Sequence, residues 1–390
     1  MCGKAQLCGK GKRRISFVLA QGKAVPFRHL GAAEPLNHYE RGGSVFRMIE
    51  PGRWILCIAD DLTGALEAGA KFAGQGVSSC VTTQTMVSGP PEVRVLVIDT
   101  ETRHVAAEDA AGVVRHVAES ALPFAPWLIY KKTDSTLRGN IAAEFRALLE
   151  LVPDRPLVYA PAYPEMGRTV KRGRLFLEGM PLHETAFAID RLNPVRESDI
   201  RALLGGIPAV VLDGESNRDI LAAASRIMAT DPPALAAGPA ALAGALAECI
   251  PSLARAEVRA LPRLPRCLVV NGSLHPASIA QADFARRHHC FEGGWRCFDA
   301  DPGSGGPALA RQTGERVRTL IEDLPVDGLV VFGGDTAFGV HQALGGQPFE
   351  AWGEVFPGVP ISRSADLVWV TKAGGFGGPD TLCEIRRALT

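Results

Sequence analysis

The sequence has no run of eighteen apolar residues free of charges or chain breakers, so it offers no membrane-spanning helix. Charge of one sign is not in excess either: Lys+Arg and Asp+Glu both total 42. Nothing in that balance calls for nucleic acid or an anionic membrane, and any anion site must be local. The nine cysteines are odd in number and contain no CxxC, and Cys57 and Cys267 fall inside apolar runs. A zinc site and a disulfide framework are therefore not expected, and a reducing cytoplasm fits better. The histidines form no HExxH, no GxSxG elbow occurs, and the aromatics are too scattered for a base-stacking platform. Neither GxxxxGK[ST] nor a GxGxxG after a strand is found, which removes the two common nucleotide fingerprints.

What the chain has in quantity is one repeated pattern: an apolar strand, a loop of polar or glycine residues, then an amphipathic helix. A length of 390 residues predicts two α/β domains with extras. Residues 1–47 stand apart, with basic residues far outnumbering acidic ones and no sustained periodicity. Met48 lies just before the first clear strand, so an early start site is the simplest reading, with a transit peptide or a basic arm as alternatives. From Trp54 onward the near-continuous apolar strands predict mostly parallel sheets with helices on both faces. A change of texture between Asp231 and Arg266 places a boundary near residue 255. The expectation is one domain over 48–255, a second over 256–390, and a ligand cleft between them.

In an open α/β sheet, ligands bind beyond the carboxyl ends of the strands. Asp60, Asp61, Asp99, Lys131, Lys132, Asp134, Arg138 and Arg168 fall at the ends of four different strands. Lys and Arg suit a carboxylate, and Arg can hold one in bidentate fashion. Ser135, Thr136 and Asn140 offer short polar groups for hydroxyls, and Gly139 closes the turn between them. An aspartate beside a reacting hydroxyl can take its proton. Any one of these residues could instead cap a helix or brace a strand end, as Asp61 or Thr63 could for the following helix. Three basic residues within one ten-residue loop exceed what capping requires.

The C-terminal half carries three strand–glycine loop–helix junctions: Asn271-Gly272-Ser273, Gly333-Gly334-Asp335-Thr336 and Thr371-Lys372-Ala373-Gly374-Gly375-Phe376-Gly377. Glycine lets backbone N–H groups approach phosphate oxygens, and a helix amino terminus adds partial positive charge. Lys372 would add a mobile cation. Three such loops in one half predict a phosphate-rich ligand.

The segments Ala59-Asp60-Asp61-Leu62-Thr63-Gly64-Ala65, Lys132-Thr133-Asp134-Ser135-Thr136-Leu137-Arg138-Gly139-Asn140 and Pro161-Ala162-Tyr163-Pro164, with the glycine loops in the same order, resemble the four-carbon acid sugar kinase family. The resemblance runs from about residue 54 to the end. It implies an ATP-dependent kinase, with Mg²⁺, acting on the terminal hydroxyl of a threonate, erythronate or 3-oxo-tetronate type of acid. It also implies that Ser273, Gly333, Gly334, Asp335, Thr336, Gly374 and Gly375 contact ATP, and that Asp61, Arg138 and their neighbours contact the acid. Glu67 stands where many relatives carry an aspartate.

On this reading Arg138, with Lys131 or Lys132 and Arg168, grips the carboxylate, and Asp60 or Asp61 is the base. No metal ligand is assigned. The expected partner is a small sugar acid, with no nucleic acid and no membrane, and a homodimer is left open. A phosphatase or isomerase of a sugar-acid phosphate, or a non-catalytic metabolite sensor, would use the same residues differently.

Overall fold

The computed structural model describes residues 53–190, 193–250, 257–273, 275–300 and 307–390, with one short antiparallel pair, Leu19–Ala20 and Lys23–Ala24. The expected tail over 1–47 lies outside these residues apart from that pair, as does the boundary near residue 255. Among the described residues no helix is long and apolar enough to cross a membrane.

The chain from residue 53 follows the predicted alternation. The first half contains β1 (Ile55–Ala59), α1 (Leu62–Ala73), β2 (Ser79–Thr82), β3 (Val95–Asp99), α2 (Ala107–Ala121), β4 (Leu128–Lys132), α3 (Ile141–Leu151) and β5 (Leu157–Tyr159). A small antiparallel sheet then intervenes, β6 (Arg168–Lys171), β7 (Arg174–Leu177) and β8 (Met180–Pro181). The alternation resumes with α4 (Ile200–Leu204), β9 (Ala209–Val211), α5 (Asn217–Ile227), β10 (Leu235–Gly238) and α6 (Ala240–Glu248). The second half contains β11 (Cys267–Asn271), α7 (Pro276–Arg287), β12 (Trp295–Asp299), α8 (Pro307–Asp323), β13 (Gly328–Phe332) and α9 (Gly334–Ala343). It ends with β14 (Phe349–Phe356), β15 (Val359–Ser364), β16 (Leu367–Lys372) and α10 (Thr381–Leu389).

One sheet of thirteen strands runs through both halves, in the order β9-β5-β10-β4-β1-β3-β2-β14-β15-β16-β13-β11-β12. Neighbours are parallel from β9 to β2 and again from β16 to β12. The three pairings through β14 and β15 are antiparallel. Three reversals leave the parallel strands of the second half running opposite to those of the first. Six steps separate β1 from β13, and a twist of about 20–25° per step accumulates to roughly 120–150°. That turn is compatible with the two sets of strand ends facing each other.

The core explains the continuity. Every residue of Ile55–Ala59 and of Cys267–Asn271 is buried, as strands covered on both faces must be. Along β11 the alternate residues divide: Leu268 and Val270 join the large cluster that also holds Ile55, Phe72 and Tyr130, while Cys267 and Val269 enter a smaller cluster with Trp295 and Leu389. One core is thus shared by the two halves, and the second half has another on its far face. Helix α1 lies across the join. A Cβ on its Gly69 would stand 2.8 Å from Val81 and 3.3 Å from Ala351, so only glycine permits this approach to β2 and β14. Phe72, on the same helix, is fully buried, which contributes about 1.5–3 kcal/mol.

One disulfide, Cys290–Cys383, departs from the expectation of reduced thiols. Its cysteines are 93 residues apart in sequence and 5.9 Å apart between Cα atoms. Only the packing of α10 beside α7 brings them together, so spacing could not reveal the pair.

Candidate active site

Strand β1 delivers Asp60 and Asp61 to the centre of the first half, where the strand order reverses between β3 and β4. Asp60 is 2% exposed, and both its oxygens are held by Arg103, at 2.7 Å to Nε and 3.0 Å to Nη2. Asp61 caps α1, accepting the Gly64 N–H at 3.0 Å through Oδ1, and the same oxygen takes Arg103 Nη2 at 2.7 Å. Arg103 also stands 3.6 Å from Asp134. One guanidinium therefore joins three carboxylates. Burial would raise the proton affinity of Asp60, but Arg103 and the neighbouring lysines more than reverse it and hold the carboxyl below its usual range.

Arg103 closes the loop after β3, and the other side chains there are equally engaged. Thr100 donates to the Ala59 carbonyl at 2.7 Å and lies 2.8 Å from the Thr102 hydroxyl. Thr102 donates to Glu144 at 2.5 Å, and Glu144 pairs with Lys131 at 3.1 Å. Glu101 accepts the Leu62 N–H at 3.0 Å, at the first turn of α1, and donates its own N–H to Asp99 at 3.1 Å. Burial first, then the charge of Asp61, pushes the Glu101 carboxyl up to about 7, and burial with Glu101 raises Asp99 as well.

The loop after β4 is built around Asp134. Its carboxylate accepts Thr136 N–H at 3.0 Å, the Thr136 hydroxyl at 2.5 Å, and Arg138 through Nε and Nη2 at 2.9 and 2.8 Å. Burial would raise this carboxyl, yet Arg138 and Arg103 take it well below the ordinary range. The Arg138 fork is thus engaged from within, with Asp190 at 3.7 Å and the Phe187 ring beneath it at 5.4 Å. Gly139 adopts φ +89°, which favours glycine, and lies against Asp60 and Arg103. Asn140 donates to the Thr102 and Val105 carbonyls at 2.9 Å and ties the two loops together. Ser135 is half-buried in the same loop.

Two cations in this region have no carboxylate within ion-pair distance among the described residues. Lys132 is 3% exposed, and its ammonium donates to the Thr133 carbonyl at 2.9 Å. A Cβ on Gly64 would lie 2.5 Å from that nitrogen and 2.6 Å from Asp61 Oδ1, so lysine and aspartate flank one point of α1. Arg168, at the start of β6, donates through Nη1 to the Met166 carbonyl, while its Nε is buried without a partner. Glu67 lies within electrostatic reach of both cations and accepts the Tyr163 hydroxyl at 2.8 Å. Burial raises the Glu67 carboxyl, and Lys132 and Tyr163 pull it part of the way back.

The second half presents backbone instead of charge. Its three glycine loops follow β11, β13 and β16, and they touch one another. A Cβ on Gly272 would collide with the Thr336 hydroxyl, and one on Gly374 with the Ser273 hydroxyl. Gly333 takes φ +98°, with Ser273 and Thr336 each 3.4 Å from where a Cβ would sit. His275 caps α7, its Nδ1 accepting the Ala277 N–H at 3.2 Å. Lys372 does not reach outward. Its ammonium donates to the carbonyls of Ala373, Gly374 and Phe376 at 2.7, 3.3 and 3.0 Å, over the Phe332 ring at 4.5 Å. Burial draws its proton affinity down to about 7. Lys372 shapes the loop from beneath.

The halves meet at Gly334. A Cβ there would be 3.0 Å from Thr63 Oγ1, a buried hydroxyl with no partner, and 3.3 Å from Asp61 Oδ2. Asp335, exposed beside it, stands 3.8 Å from His104. His275 is pulled down by burial, then by Lys372, and also by Arg138 from the opposite half. Orphan polar atoms lie on both sides of this junction: Thr63 Oγ1 and Arg168 Nε on one, Asn271 Oδ1 on the other.

Residues 55–207 match the sugar-binding N-terminal domain family, and residues 296–382 match the nucleotide-binding C-terminal domain family. The D-threonate kinase of Bordetella bronchiseptica is 31% identical, over 87% of this chain and 98% of that one. This chain belongs to the four-carbon acid sugar kinase family. The D-threonate kinase of Salmonella typhimurium is 29% identical over 85% of this chain and 97% of that one. A crystal structure from Salmonella typhimurium LT2 shares the fold, with a TM-score of 0.71 at 22% identity, covering 86% of this chain and 99% of that one.

Within this family frame, the structure gathers Asp60, Asp61, Asp134, Arg138, Gly139 and Asn140 around Arg103, a residue that the sequence did not single out. Its signal was available, since it closes the charged loop after β3. Lys131 does not join them: it is fully buried and neutralised by Glu144.

Proposed function

We propose that this chain is an ATP-dependent kinase for a four-carbon sugar acid, with acid recognition in 48–255 and nucleotide recognition in 256–390. The observation that carries the reading is the contact at Gly334, where the Asp61 carboxylate abuts the glycine loops. Asp61 is the base. Both oxygens of Asp60 are engaged by Arg103, whereas Asp61 keeps Oδ2 directed at the opposite half. Lys132 and Arg168 hold the acid's carboxylate, since Lys131 and Arg138 already face Glu144 and Asp134.

The acid's terminal oxygen forms its bond to the γ-phosphorus as the bond to the bridging oxygen breaks, and its proton passes to Asp61 Oδ2. Ser273, Gly333, Gly334, Thr336, Gly374 and Gly375 lie on loops packed too closely for added side chains, and glycine there lets backbone N–H groups approach a triphosphate tail. Asp335 stays at the rim. Among the described residues no three His, Cys, Asp or Glu are grouped to hold a metal ion, so magnesium fits as an ion carried in on the triphosphate. When bound there, it would neutralise charge on the phosphates.

The test is ADP release with Mg-ATP across a panel of four-carbon acids. Acid-dependent ADP is expected. Phosphate release or isomerisation without ATP, or binding without turnover, would replace this reading.

A further inference from the structure

Gly64, Glu67 and Lys71 lie three and seven positions apart, which places them on one stripe of α1. Gly64 borders Lys132 and Asp61, and Lys71 pairs with Glu354 at 2.9 Å. Glu67 stands between them, half-buried. Its Oε1 accepts from Tyr163 at 2.8 Å, and Oε2 has no hydrogen-bond partner among the described residues, nor is it sealed in the interior. Tyr163 is held in place: it is 2% exposed, with Lys71 over its ring at 5.9 Å. Two cations without carboxylate partners among the described residues, Lys132 and Arg168, thus lie within electrostatic reach of a carboxylate with one oxygen free of hydrogen bonds.

We infer that Glu67 is the specificity-determining residue of the acid pocket, its open oxygen accepting a hydrogen bond from an internal hydroxyl so that hydroxy acids are taken and oxo acids refused. The inference rests on the kinase reading for its substrate class. Lys132 and the Tyr163 hydroxyl both favour the ionised form of Glu67 against its burial, and an ionised carboxylate can only accept. A hydroxyl at the third carbon can donate to it, whereas a carbonyl there opposes lone pairs to lone pairs. Sites built to pair with a hydroxyl reject analogues that cannot make the bond, because a desolvated polar group is left unpaired. Tyr163 is a positioning residue, keeping Oε1 engaged so that Oε2 points at the ligand.

The experiment titrates the full chain calorimetrically with D-threonate and with the corresponding 3-oxo acid, and measures ADP release from both in parallel. Wild type should bind the hydroxy acid at least about tenfold more tightly. Glu67→Gln, whose amide can donate, should remove most of that preference, and Glu67→Asp should retain its direction. Tyr163→Phe should reduce it, and decides the matter if Glu67→Gln fails to fold. An equal ratio in wild type and variants, or a wild-type preference for the oxo acid, would overturn the inference. Binding selectivity without ADP from either acid would support the inference and remove the kinase reading. ADP formed equally well from both acids would do the reverse.

Discussion

The two halves of the proposed site are built by different means. On the acid side charged side chains bind one another: Arg103 joins Asp60, Asp61 and Asp134, and Arg138 returns to Asp134. On the nucleotide side the contacts are backbone and glycine, and Lys372 braces carbonyls from below. The difference fits the proposed ligands. A small chiral acid has few atoms, each of which needs its own partner. A phosphate tail repeats one acceptor and is well served by a row of N–H groups. Charge in the acid half also serves as architecture, so a charged residue there is not by that fact a ligand contact.

Substitutions can break that comparison at its strongest points. Asp60→Ala leaves Arg103 buried without its main partner and should cost about 3–5 kcal/mol in urea unfolding. Asp61→Asn can still cap α1, so stability should change little while kcat falls by about 10²–10⁴. Equal loss of stability in both would erase the distinction between anchor and base. Next in size, Arg168→Ala should weaken acid binding by roughly 2–5 kcal/mol while ATP affinity holds. Gly374→Ala should do the opposite, because its Cβ would collide with Ser273. Overpacking of about 1–3 kcal/mol there predicts a roughly five- to hundred-fold loss in ATP affinity with acid binding intact. A substitution on one side that moved both affinities equally would show that the division of labour is wrong.

The fold was legible because buried parallel strands write themselves as apolar runs, and β1, β3, β4, β11, β13 and β16 all fall where such runs are. The three glycine loops were legible for a related reason, since the close approach of Gly272 to Thr336 leaves no space for a side chain. The continuity of the sheet was not, because the pairing of Phe349 with Val81 joins strands more than 260 residues apart. Nor could sequence separate Lys131 from Lys132. They are adjacent in β4 and so point to opposite faces, one toward Glu144 and the other toward Gly64. Arg103 was hidden in a loop that looked like one charged strand end among several. Only three-dimensional proximity shows that it binds carboxylates from two other loops.

The smallest expected effect concerns Glu101, which has one foot on each side of the comparison: it accepts the first N–H of α1 and feels Asp335 of the nucleotide loop. Its folded-state proton affinity is raised from 4.5 to about 7. Over that interval the folded chain holds a proton that the unfolded chain has released, so the contribution of Glu101 is fully present below about pH 4.5 and is lost as pH rises through about 7. Glu101→Gln keeps an acceptor for the Leu62 N–H and cannot ionise. Relative to wild type it should gain in melting temperature between pH 5 and pH 8, on the order of 2 °C. Thermal unfolding of the two proteins across that range checks it. Parallel curves would mean that Glu101 keeps one protonation state throughout that range.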